Sequence, residues 1–185
     1  MKTVKGLHEK MGTFENTNTS FHQAARCKRY TNEVLAFSVV KEEELLRATE
    51  EIQNLTYRQG EYKIFKVFEP KERLIMALPF YDRVVQHMIC NAIQPVFENG
   101  FYYHSYACRS GKGMHAASDT LYQWMYETEV KQGLRMYAFK GDISKYFASI
   151  PHDKLKDENR RYIGDKKALM LMDDIIDHNG ILPDG

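Results

Sequence analysis

Paired cysteines and long apolar runs are missing from this chain, and each absence removes a class of answers. The three cysteines, Cys27, Cys90 and Cys108, lie far apart and form no CxxC pair. Neither a disulfide framework nor a zinc site is therefore expected, and with no signal-peptide pattern in view the thiols read as reduced and cytoplasmic. No run of about 18 apolar residues exists, so no membrane span is expected. A large charge imbalance is also missing. The formal net charge is +1, which gives no global attraction to nucleic acid and leaves any such binding to local patches. Tryptophan occurs once, but 12 tyrosines and 10 phenylalanines make the chain rich in rings, which suits either a stacking surface or a packed core. With 185 residues, 43% of them hydrophobic, there is material for one ordinary domain or two small ones.

The first twenty residues are polar, with Asn16-Thr17-Asn18-Thr19-Ser20, and residues 1–40 as a whole read as a loose N-terminal lead-in. Arg26, Lys28 and Arg29 form a small basic cluster there, either a solvated face or a nucleic-acid contact. A helix is expected from Lys41 to Tyr57, with Leu45, Thr49, Ile52 and Leu55 on one face, Glu42 to Glu44 in the first turn and Gly60 as its stop. From Tyr62 to Leu78 the period becomes two, broken at Glu69-Pro70-Lys71-Glu72. That is a β-hairpin with Lys71 and Arg73 near its tip, where the cations either guard an exposed edge or meet a ligand. A core helix follows from Tyr81, with Asp82 in its first turn, and Pro95 should kink or end it. His87 on that helix has no neighbours to complete a metal set.

The segment Phe101 to Gly113 contains no acid and combines four aromatics with Arg109, Gly111, Lys112 and Gly113. The glycines permit close backbone approach or positive φ, and the cations could neutralise phosphates. It could equally be a loop holding an aromatic plug. A helix over His115–Val130 should turn Ala117, Leu121, Trp124, Met125 and Thr128 inward and stop at Gly133. Alternation from Met136 onward predicts a strand that delivers Asp142 at its tip, followed by a tight turn bringing Phe147 back beside it. Pro151 and Asp153 mark another helix start. The pair Asp173-Asp174 invites a metal reading, but Leu169, Met172 and Ile176 repeat as a helical face, which puts Asp173 and Asp177 on a wet surface.

Three blocks stand in order along the chain: Glu69-Pro70-Lys71-Glu72-Arg73 through Ala77 to His87; Ser105-Tyr106-Ala107-Cys108-Arg109-Ser110-Gly111-Lys112-Gly113; and Lys140-Gly141-Asp142 through Ile150. Their order and separation resemble the N-terminal half of a prokaryotic reverse transcriptase, most like the diversity-generating retroelement enzymes and next the group II intron type. The resemblance runs from about residue 26 to the end. It implies an α+β fold: right-hand polymerase fingers over 41–135 and the start of a palm over 136–185, truncated before the aspartate-pair hairpin.

The same resemblance implies roles. Asp142 would be the first palm aspartate, a ligand with the Ile143 backbone carbonyl for two Mg2+ ions whose remaining carboxylates come from a later motif. Lys145 and Tyr146 would present backbone amides to the triphosphate, and Phe147 would gate the sugar against a 2′ hydroxyl. Lys71 and Arg73 would clamp the triphosphate, while Arg109, Gly111, Lys112 and Gly113 would lie along the template. The implied partners are an RNA template, a DNA or RNA primer, deoxynucleoside triphosphates and an accessory protein. Ala148 and Glu72 depart from the family's usual prolines. Because Asp142 is one of three expected metal carboxylates, this length of chain is expected to be inactive alone. The alternative is a non-catalytic RNA-binding remnant or one half of a split polymerase.

Overall fold

The computed structural model describes residues 3–68 and 70–178. The chain divides into two compact units, Met1–Val96 with Pro151–Gly185, and Phe97–Ile150. These boundaries fall elsewhere than the divisions near 41 and 136 that the sequence suggested. Both units combine helices or turns with little sheet: the strands paired among the described residues are those of one hairpin. No helix among the described residues is long and apolar enough to cross a membrane.

The first unit opens with three helices where a loose lead-in was expected: α1 (Leu7–Met11), α2 (Phe14–Ala24) and α3 (Asn32–Val39). The polar composition misled because the polar residues that turn inward are small and bonded. Thr17 and Ser20 are fully buried; the Thr17 hydroxyl bonds the Thr13 carbonyl and pairs with the Thr49 hydroxyl at 2.9 Å. Between them Leu7, Met11, Phe21 and Ala24 keep helical spacing and enter the core. Two further long-range ties fix this segment. Val4 pairs in parallel with Ile163, and the Asp165 carboxylate accepts from the His8 backbone N–H at 3.0 Å. Gly164 is required by this approach, since a Cβ there would lie 2.3 Å from the Thr3 hydroxyl.

Helix α4 (Lys41–Gln53) buries Leu45, Ala48, Thr49 and Ile52. It ends four residues before the expected Tyr57, because Leu55 turns to φ 58°, ahead of Gly60. The hairpin forms as expected: β1 (Lys63–Phe68) and β2 (Glu72–Ala77) pair antiparallel from Lys63 opposite Ala77 to Phe68 opposite Glu72. Helix α5 (Phe80–Glu98) runs through Pro95 rather than ending there. Pro95 lies in the last turn, where its missing N–H forfeits a single helical bond. Phe21, Phe37 and Phe80 bring α2, α3 and α5 together with ring centroids 5.0 to 6.0 Å apart, and Ala24, Ala25, Val34, Leu45 and Val84 complete that cluster. Helices α7 (His152–Tyr162) and α8 (Lys166–Asp177) close the unit. Asp173 pairs with Arg160 and Asp177 with Lys156 across them, so the aspartate-rich stretch is the charged side of a helix, as its period indicated.

The second unit holds the loop after α5, helix α6 (Met114–Met125) and a π-helical continuation over Tyr126–Lys131. No described residue of this unit is buried. The face expected to turn inward does not: Leu121, Trp124 and Met125 all remain exposed. Helical spacing sets which residues share a face, and burial needs a second element to cover it.

Candidate nucleic-acid interface

Two cations of the first unit, Lys71 and Arg73, project from its hairpin. Lys71 sits in the bend after Pro70, and Arg73 stands in β2 opposite Val67. Both are exposed. Lys66 and Glu72 pair across the hairpin at 2.5 Å, whereas among the described residues neither Lys71 nor Arg73 has an ion pair. A hairpin end with two uncommitted cations is a surface that a polyanion can contact at little desolvation cost.

In the second unit, the segment Phe101–Gly113 folds on itself. The Arg109 side chain is 12% exposed: Nε donates to Glu98 at 2.9 Å, and one terminal nitrogen donates to the carbonyls of Tyr102 and Ser105 at 3.0 and 3.1 Å. Its guanidinium also lies 5.5 Å from the Phe101 ring centre. Lys112 donates to the Tyr103 carbonyl and sits 3.9 and 5.2 Å from the ring centres of Tyr103 and Tyr106. Most of Arg109's bonding capacity thus goes to closing its own loop. Gly111 and Gly113 adopt φ 70° and 137° with open space where a Cβ would be, which matches the expected positive φ and leaves their backbone approachable.

Sequence reasoning missed His104. Its ring packs 4.7 Å from Trp124 on α6 and 4.9 Å from Tyr103, and its Nδ1 bonds the Tyr106 hydroxyl at 3.0 Å. Tyr106 donates in turn to Thr120 at 2.8 Å. The residue holds the loop to α6. The available signal is the ring-rich run Tyr102-Tyr103-His104-Ser105-Tyr106, which the aromatic-plug alternative covers without naming the histidine.

The strand expected to carry Asp142 is not formed. Residues 133–143 have no regular secondary structure, and Tyr137, Phe139 and Ile143 stand exposed, Phe139 at 97%. Alternation supplies the two faces of a strand, but its N–H and C=O groups need an adjacent edge. Asp142 and Ile143 therefore precede the turn on an exposed segment without regular structure. The turn itself is present. Lys145 takes φ 50°, Ser144–Tyr146 bend the chain, and a 3₁₀ turn spans Phe147–Ser149. The Ser149 N–H closes it on the Lys145 and Tyr146 carbonyls at 3.0 and 3.1 Å. Tyr146 and Phe147 meet edge to face at 5.3 Å, with Phe147 87% exposed.

A two-ion centre is not satisfied by these residues. Among the described residues no three His, Cys, Asp or Glu side chains gather as a metal-holding group. Asp142 contributes a single carboxylate, which is too few without further ligands.

No protein-family model matches the chain. It is similar to Protein YkfC of Escherichia coli (strain K12), at 30% identity over 91 residues, 49% of this chain. The matched stretch spans 23% of that protein, so the match covers less than a quarter of its relative's length.

Proposed function

We propose that the chain supplies the fingers and the first part of the palm of an RNA-directed DNA polymerase, the reading favoured by the order of its three sequence blocks. The observation that carries it is the hairpin β1–β2, whose exposed end presents Lys71 and Arg73 with no ion pair among the described residues. In this reading those side chains bind the triphosphate of an incoming deoxynucleotide. Phe147 lies against its sugar, Asp142 joins carboxylates from elsewhere, and Gly111 and Gly113 let the template backbone approach. Lys112 supplies the loop's charge, with Arg109 holding the loop in shape. The enzyme works in the cytoplasm, where Cys27, Cys90 and Cys108 stay free thiols, on an RNA template with a DNA or RNA primer and an accessory protein.

An incorporation assay tests this. The chain alone is expected to copy nothing. Supplied with a polypeptide carrying a tyrosine-x-aspartate-aspartate hairpin, it is expected to extend a primer on RNA, and Asp142→Ala should abolish that extension. Extension that ignores Asp142→Ala, or its absence despite a complementing polypeptide that binds the chain, would overturn the reading.

A further inference from the structure

The basic cluster near residue 26 acquires a partner surface in the fold. A cavity of about 270 Å³ in the first unit is lined by Gln23 at the end of α2, Arg26 and Lys28 in the turn after it, and Arg83, Gln86 and His87 on α5. The cations arrive from separate elements. Arg83 and His87 are four apart, on one face of α5. Arg26 and Lys28 are set by the turn that ends α2, where Cys27 takes φ 61° and the Lys28 N–H bonds the Ala25 carbonyl at 3.0 Å. Ala24 and Ala25 are packed with Phe80 and Val84, so both walls are anchored in the same core cluster. Arg29, the third member of the cluster in sequence, does not line the cavity.

The charge is one-sided. Among the described residues no carboxylate lines this cavity, and Glu33 pairs with Arg83 on its wall. Among the described residues Arg26 and Lys28 have no ion pair. Burial pushes the His87 imidazole's pKa down, so at neutral pH it adds a hydrogen-bonding ring without further charge. Its volume lies just below the roughly 300–1,000 Å³ of pockets for whole small ligands, and it has room for a single phosphate group.

We propose that this cavity is a phosphate-binding site that takes one phosphodiester of single-stranded RNA. Its nucleic-acid identity rests on the polymerase reading; its anion chemistry rests on Arg26 and Lys28, with Arg83 shared with Glu33. The site holds the strand at a point separate in sequence from the hairpin cations Lys71 and Arg73.

The test is anisotropy of a labelled single-stranded RNA titrated with the full 185-residue chain over a range of salt, comparing the parent with the Arg26→Ala/Lys28→Ala double variant. Both side chains are exposed, so the fold is expected to survive, and Arg83→Gln gives an independent variant on α5. The double variant should bind roughly tenfold more weakly at low salt, with a log–log salt slope smaller by about 0.7, the share of one phosphate on a single strand. Equal affinity and equal slope would overturn the site. A second arm titrates adenosine monophosphate by calorimetry. Monophosphate binding lost in the double variant, with RNA binding unchanged, would overturn the polymer assignment in favour of a free nucleotide. Failure of the polymerase reading registers separately, as incorporation indifferent to Asp142→Ala.

Discussion

Asp82, 3% exposed near the start of α5, accepts the Tyr57 hydroxyl at 2.7 Å and the Gly60 N–H at 3.2 Å. Burial first, and then this carboxylate, push the Tyr57 phenol far above its ordinary pKa, so it stays a donor throughout the working range. One side chain therefore fixes the path from α4 to the hairpin, and with it the base from which Lys71 and Arg73 project. Asp82→Ala leaves a buried hydroxyl and a backbone N–H without their acceptor. It should lower unfolding stability by about 1–3 kcal/mol, read as a lower urea midpoint with an unchanged slope. At this scale position is legible in the chain but the partner is not: Asp82 reads as a first-turn acid, whereas it bonds Tyr57 across a gap of 25 residues. Arg109 shows the same limit, since a cation in an acid-free segment found Glu98 just outside it.

Helix α8 shows how an element is held at one end. Burial alone would raise the Asp165 carboxyl, but backbone N–H groups of His8, Ala168, Leu7 and Lys167 outweigh it and hold the pKa below the usual value. Asp165 caps α8 through Lys167 and Ala168 and ties it to α1 through His8. Asp165→Ala should cost about 1 kcal/mol. A depressed folded pKa stabilises fully above the ordinary carboxylate value. The difference between parent and variant should therefore persist above about pH 4 and fade as pH falls further, as denaturant melts across acid pH would show. Elements whose evidence is local were legible: the hairpin from its alternation and Pro70, α4 from Leu45, Thr49 and Ile52, α7 from Pro151 and Asp153. The strand before Asp142 was not, because a strand exists only with a neighbour, and α2 was not, because Thr17 and Ser20 hide a buried face behind polar names.

Across the molecule the two units differ in kind. The first buries Leu7, Met11, Phe21, Leu45, Ile52, Val84, Val85 and Met88, while the second has no buried residue among those described. Local opening costs little where few apolar contacts must break. Amide exchange should therefore be slow in α2, α4 and α5 and fast throughout 97–150; protection of α6 matching that of α4 would contradict this. The difference also separates what each level of information determined. Sequence alone set the helical and alternating periods, the hairpin with its cations, the turn after Asp142 and the order of the three blocks, because each depends on residues near one another in the chain. Only the tertiary structure decided that the N-terminal stretch is core, that Arg109 is committed to its own loop, that Trp124 stays exposed, and that Arg26 and Lys28 share a cavity with Arg83. Those outcomes depend on which distant surface arrives opposite, and burial and pairing are properties of two surfaces at once.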